Sequence, residues 1–361
     1  MFKFNQLENI HFEITNRCQA SCPMCSRNYH GGVDNPLIKN QDWTINDFKK
    51  IANQEVLLQL KGFYFCGNFG DPIINDDLID MIEYASTINP KLNIRVHTNA
   101  SARNSAWWKK LARSLPPTHN VIFAIDGLED THSLYRIGTS YAKIIDNARS
   151  FIAAGGTAEW CFIKFKHNEH QVDEAKRRAK EIGFNLFTVK NSSRFIGSPK
   201  FEVLDNGGNI TRYLEPPTNS KVDYISDDVV KNYKEVLASA EIDCYVKHSK
   251  EVYIDAYKNL FPCCFLASAP YNYSKSTDLI APIRNEILNQ YHDLVNTLGG
   301  IDRLNLINNE LKSVVESEEW QTAWEHYWNS NKLITCARTC GKLKNISIPK
   351  PKDQFIEHTG L

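Results

Sequence analysis

The chain has no excess of either charge: 42 Lys and Arg balance 42 Asp and Glu in 361 residues. That balance withholds the basic footprint that a nucleic-acid or anionic-membrane partner requires. Basic stretches such as EAKRRAK, residues 174 to 180, mix acid with base as an exposed helix face does. Neither a nucleic-acid nor a membrane partner is expected. Long apolar runs are missing too, none approaching the roughly 18 residues of a membrane span. The N-terminus MFKFNQLENI lacks the basic-then-apolar pattern of a signal peptide, and no internal repeat is found. A cytoplasmic location is therefore expected. In a reducing compartment ten cysteines do not make a disulfide framework, and clustered ones read as metal ligands or catalytic thiols.

What is present is an alternation of apolar strand-like runs with amphipathic ones. Strands are expected over 9–15, 62–67, 93–99, 120–127, 159–165 and 184–190. Helices are expected over 44–55, 75–89, 105–115, 141–156 and 171–183. Six β/α units in one direction imply an α/β fold, a parallel sheet with helices outside it in a partial, TIM-like (β/α)6 barrel. This core occupies residues 1–200. Glycines, prolines and polar residues mark 201–240 as a linker. A smaller, cysteine-rich α+β module follows over 241–345, with a helical insertion at about 278–330, and 346–361 reads as an irregular tail. Trp320, Trp324 and Trp328 recur every four residues on the insertion, the spacing of a packing stripe.

Sites on such folds form at the carboxyl ends of the strands. The first strand runs into ITNRCQASCPMCSRN, with Cys18, Cys22 and Cys25 in eight residues. Two further cysteines at those offsets after any one of the ten arise by chance on the order of 1% of the time. Structural zinc takes four ligands, so three thiolates leave a vacancy, and a cubane [4Fe–4S] cluster held this way keeps one iron open. His11 or His30 could instead complete a zinc site. The other strand ends carry CGNFGDP (66–72), HTN (97–99) and AIDG (124–127).

CQASCPMC is the CxxxCxxC signature of radical S-adenosylmethionine (SAM) enzymes, and the chain resembles that family in its place after the first strand. The resemblance implies that the open iron binds the amino and carboxylate groups of SAM. Reductive cleavage then yields a 5′-deoxyadenosyl radical that takes a hydrogen atom from the substrate. Met24 stands where the family often has an aromatic residue before the third cysteine. GNFGDP resembles the family's GGEP motif, with Gly67, Asn68, Gly70 and Asp71 toward the SAM amino group; alone it would be an ordinary turn. AIDG followed by THSLYRIG resembles a family stretch that brings Asp126 and Arg136 near SAM, and Asn99 ends the third strand in like manner. Cys66 and Cys161, isolated in apolar strands, read as buried structural thiols.

Cys244, Cys263, Cys336 and Cys340 suffice for a second [4Fe–4S] cluster or one zinc. Their arrangement, with the PCC of 262–264, resembles the SPASM/twitch extension of the family in its one-cluster form. Either Cys263 or Cys264 is then the ligand. The remaining thiol, Cys264 on the first assignment, is a candidate hydrogen-atom donor, as in radical SAM epimerases. Asp255 is a conceivable acid for a two-electron oxidation. The resemblance implies a peptide or small-molecule substrate and an external one-electron donor of flavodoxin or ferredoxin type. With the first strand expected by residue 9, no leader-binding domain is expected ahead of it. The competing class is a non-catalytic iron–sulfur or zinc protein.

Overall fold

Side chains that alternate between apolar and polar along a parallel strand separate two faces of a sheet. A computed structural model, which describes residues 1–192, 194–195, 200–218, 239–271, 281–330, 332–342 and 356–360, realises that separation. Six strands, β1 (Asn9–Phe12), β2 (Gly62–Phe65), β3 (Asn93–Thr98), β4 (His119–Ala124), β5 (Ala158–Lys164) and β6 (Leu186–Asn191), pair in sequence order and all in parallel. Helices connect them as expected. The segment anticipated as one helix over 44–55 is two, Ile45–Ile51 and Gln54–Gln59. Each has its own cap, Thr44 accepting from Asp47 N and Asn53 from Val56 N.

Later strands are β7 (Phe201–Leu204), β8 (Ile210–Leu214), β9 (Glu241–Ile242), β10 (Glu251–Ile254), β11 (Leu260–Phe261), β12 (Gly341–Lys342) and β13 (Ile356–Gly360). Strand β10 lies parallel beside β1, from Asn9 opposite Glu251 to Phe12 opposite Ile254. Among the described residues the sheet therefore has nine strands in the order β11-β10-β1-β2-β3-β4-β5-β6-β13, with the antiparallel strands β11 and β13 at its edges. Part of the stretch expected as a separate module thus belongs to the central sheet.

Two further expectations change. Residues 201–214, read as linker, form the antiparallel hairpin β7–β8. It is fastened to the core by Leu204 N donating to His30 O and by Arg212 donating to Leu134 O. The rest of that linker over 219–238 lies outside the described residues, as do 272–280 at the start of the insertion. The tail is not irregular throughout, since β13 pairs with β6 from Ile356 opposite Lys190 to Gly360 opposite Leu186. Residues 343–355 lie outside the described residues. Glycine and proline content marked the hairpin as loop because its pairing is with itself and its packing is non-local, neither of which composition records.

On the helix side Ile10, Phe12, Phe63, Phe65, Ile94, Val96, Val121, Phe123, Trp160 and Phe162 merge into one core with the helices. Phe12 is fully buried among Trp43, Phe48, Phe63 and Phe65, at ring distances of 5.8, 5.2, 5.4 and 6.0 Å. The opposite, concave face is polar: His11 stacks on Tyr64 at 4.4 Å and meets Tyr253 at 4.7 Å, and Tyr64 meets His97 at 5.8 Å. Phe12→Ala is expected to cost about 3–5 kcal/mol. Urea unfolding should show it as a lower midpoint at unchanged slope.

Candidate functional site

The three-cysteine loop leaves the carboxyl end of β1 without helix or strand, held by a turn in which Cys25 N donates to Cys22 O at 2.9 Å. Donors from several elements converge on its sulfurs. Ala20 N lies 3.4 Å and Asn99 Nδ2 3.5 Å from Cys18 Sγ, and Arg136 Nη1 lies 3.8 Å from Cys22 Sγ. Such donors orient ligands and stabilise thiolate charge around a cluster. Burial pushes the Cys18 thiol up, and pushes that of Cys22 up to about 11 although Arg136 opposes it.

The loop 67–71 lies directly on the residues that lead into the cysteines. A Cβ at Gly70 would stand 2.0 Å from Thr15 O and one at Gly67 2.2 Å from Gly70 O, so this close approach requires both glycines. Asp71 N donates to Arg17 O at 2.9 Å. The Asp71 carboxylate is buried and already engaged. It accepts from Ile73 N at 3.2 Å, Asn99 N at 2.7 Å and the Thr98 hydroxyl, which opposes the upward push of burial on its pKa. Asp71 thus ties the end of β2 to the end of β3. Asn99 in turn accepts from Gln19 Nε2 at 2.7 Å, so β3 grips the cysteine loop at two points.

Beyond β4, buried Asp126 pairs with Arg136 at 2.6 Å and accepts from Ile163 N at 2.6 Å. The pair aims the guanidinium at Cys22, and breaking such a pair leaves a costly unpaired charge. Met24 packs at the third cysteine, its sulfur accepting from Ser192 Oγ at 3.4 Å and its carbonyl from Arg194 Nη1. The two histidines considered as zinc ligands are occupied elsewhere. His11 Nε2 bonds Cys66 O at 2.6 Å, and His30 stacks on Tyr29 and meets Phe201. Among the described residues no three His, Cys, Asp or Glu side chains close on a single metal ion.

The second set also assembles. Cys336 and Cys340 share a face of the helix Ile334–Cys340, one turn apart. Cys244 caps the helix Tyr245–Ser249, and β9 pairs with β12 so that Cys244 and Cys340 hydrogen-bond each other. Cys263 completes the ring. The four sulfur residues line one narrow cavity with Phe265, Leu266, Trp324 and Trp328. Cys264 is absent from that lining. It faces the concave side of the sheet near Cys66, Glu251 and Glu13, with Asn68 Nδ2 holding its carbonyl at 2.9 Å. Adjacent cysteines are thus divided between two sites.

Glu13 was not anticipated. It sits at the concave end of β1, accepting from Phe69 N at 2.8 Å, Gly70 N at 3.3 Å and the Tyr253 hydroxyl. A lone carboxylate inside the apolar run NIHFEIT was the available signal. Burial raises its pKa to about 7, and raises to about 7 that of Asp255, which is bonded to Asn259 N at 2.8 Å in the β10–β11 turn. Cys66 and Cys161 lie on this same face, their thiols pushed by burial up to about 12 and 11.

No protein-family model matches the sequence, and no curated protein matches it. Solved structures match in fold. SuiB of Streptococcus suis bound to S-adenosylmethionine gives a TM-score of 0.50 at 13% identity, over 77% of this chain and 64% of that one. SuiB bound to the precursor peptide SuiA gives 0.50 at 13% identity, over 78% and 64%. Native anSMEcpe with bound AdoMet and Kp18Cys peptide gives 0.51 at 12% identity, over 95% and 92%. This chain spans 64% of the length of the SuiB chain, less than two thirds. At these identities the likeness is one of fold. Among the described residues no helix is long and apolar enough to cross a membrane.

The buried carboxyls set a pH dependence. Glu13 and Asp255 keep their protons in the folded chain up to about pH 7, while the unfolded chain releases them from about pH 4 to 4.5. Their contribution to stability is fully present below that lower limit and is lost as pH rises through 7. Glu13→Gln with Asp255→Asn should therefore gain on wild type between about pH 4 and 7. Urea unfolding across that range checks it, and a difference that stays flat with pH contradicts it.

Proposed function

We propose that the chain is a radical SAM enzyme that takes a hydrogen atom from a peptide substrate. One observation carries the reading: three thiols at the carboxyl end of β1, two of whose sulfurs, those of Cys18 and Cys22, receive N–H groups from the cysteine loop itself, from the end of β3 and from the segment after β4. Cys18, Cys22 and Cys25 would hold a [4Fe–4S] cluster. With SAM on the open iron it supplies a one-electron cleavage to methionine and a 5′-deoxyadenosyl radical.

The chain's own residues then orient and shield. Gly70 lets the loop lie against Thr15 and Asn16, Gly67 lets it close on Gly70, and Asn68 ties it to Cys264 O, so that its backbone would be available to the SAM amino group. Asp71 acts by fixing Asn99, and Asp126 by fixing Arg136, whose charge lies toward Cys22 and the SAM carboxylate. The four cysteines of the second cavity would hold an auxiliary [4Fe–4S] cluster in a twitch-type extension. Cys264, a half-buried thiol on the concave face whose pKa is raised by desolvation, is the proposed hydrogen-atom donor to the substrate radical. The peptide class is supported by the solved structures of similar fold, SuiB with SuiA and anSMEcpe with a Kp18Cys peptide.

Anaerobically reconstituted protein is expected to hold about eight irons per chain and to release 5′-deoxyadenosine with SAM and a strong reductant. Cys22→Ala should abolish release and halve the iron, whereas Cys336→Ala should halve the iron and keep release. Deuterium carried from solvent into product, and lost in Cys264→Ala, would mark that thiol as donor; a product two hydrogens lighter would mark the auxiliary site as electron acceptor instead. Zinc in place of iron, or release that ignores Cys22, overturns the radical SAM reading.

A further inference from the structure

Trp320, Trp324 and Trp328 behave first as the packing stripe their spacing suggests. Trp320 and Trp324 are 1% exposed and their rings meet at 5.6 Å; Trp324 and Trp328 meet at 6.0 Å. The helix Glu318–Glu325 ends in a π-helical turn, His326–Ser330. An eight-residue advance along a straight α-helix would swing Trp328 about 80° off the stripe. The wider turn brings it back, and such turns recur at functional sites.

Packing leaves one thing unexplained. All three indole Nε1 atoms are buried, and none has an oxygen acceptor. A buried tryptophan N–H normally has an acceptor, and leaving one without costs about 1–3 kcal/mol. Three in succession on one stripe are not ordinary packing. Two of the three, Trp324 and Trp328, line the cavity formed by Cys244, Cys263, Cys336 and Cys340; Trp320 does not. The Trp328 indole lies within hydrogen-bonding reach of the Cys336 sulfur. Lys247 stands over the Trp328 ring at 6.0 Å, drawing electron density off the indole and making its N–H a better donor. Among the described residues the side-chain acceptors that line the cavity are the four cysteine sulfurs and the hydroxyls of Thr335 and Thr339, and neither hydroxyl accepts from these indoles.

We propose that the Trp324 and Trp328 indole N–H groups donate hydrogen bonds to sulfur atoms of the cluster held by these four cysteines, and so make it easier to reduce. The inference rests on the auxiliary-cluster reading. Reduction adds negative charge that is shared with the sulfurs, so donors aimed at them stabilise the reduced state more than the oxidised one and raise the potential. Indole has no titratable proton in this range and offers a donor only. The two tryptophans are positioning residues for electron transfer. Phenylalanine in their place would fill the same stripe and supply no donor.

The test uses the full-length chain carrying Cys18→Ala, Cys22→Ala and Cys25→Ala, so that the auxiliary cluster alone contributes. Its midpoint potential is read by electron paramagnetic resonance during redox titration, with iron and sulfide content measured alongside. Trp324→Phe and Trp328→Phe should each move the midpoint to a more negative value at unchanged iron content, and the double variant further still. Trp320→Phe should leave it in place. Unchanged potentials in Trp324→Phe and Trp328→Phe, or an equal shift in Trp320→Phe, overturn the assignment of donors. A background protein that binds no iron at these four cysteines overturns the auxiliary-cluster reading instead, and the inference falls with it.

Discussion

The pairing of β1 with β10 is the contact on which the rest of the arrangement depends. It sets residues 9–12 beside residues 251–254 in parallel register, so the concave side chains of the two strands alternate in step. Tyr253 meets His11 and bonds Glu13; Glu13 in turn receives the backbone of Phe69 and Gly70. The glycine loop is thereby held from beneath by a strand that comes 240 residues later. From the same strand the turn through Asp255 and Asn259 leads to β11 and delivers Cys263 and Cys264, one to each of two sites. If the register slipped by one residue, Val252 and Ile254 would face Glu13 and both attachments would be lost.

That arrangement places a row of ionisable groups where a parallel sheet is usually apolar. His11, Glu13, Tyr64, His97, Tyr253, Asp255 and Cys264 share one enclosed surface, and burial disfavours the charged form of every one whose shift is resolved. The consequence is a surface that is polar yet largely uncharged at neutral pH. On the proposed function, neutral groups would suit hydrogen-atom chemistry, which moves no net charge. The helix-side core is the counterpart: its uninterrupted aromatic packing offsets the cost of so many buried polar side chains.

Periodicity carried the six parallel strands and their helices into view, because each β/α unit is written in local alternation of apolar residues. The three-cysteine loop was legible for the same reason, three thiols being close in sequence before they are close in space. The grouping of Cys244, Cys263, Cys336 and Cys340 was legible only by count, since β9, β12 and the β10–β11 turn do the gathering and none of them is longer than five residues. What stayed hidden was non-local. The pattern of β10 is that of any short strand, and nothing within VYID states that its neighbour is residue 10. Asp71 looked like a free acid because its partners, Thr98 and Asn99, lie on the next strand. The tryptophan spacing was plain, while the want of acceptors for its indoles belongs to three dimensions.

The distance in sequence between β1 and β10 also orders events in time. At synthesis rates of about 5–20 residues per second, β1 leaves the ribosome roughly 12–48 s before its second neighbour exists. During that interval β2 through β6 have what they need to pair, but one edge of β1 stays open, with Glu13 unsupported by Tyr253. An open parallel edge is a template for mispairing with another chain. The three thiols that follow β1 are exposed over the same interval, before the strand that braces their loop has been made. The maturation of such a chain is governed by a clock set by its own length, and any helper that shields the early cysteines must act before residue 254 emerges.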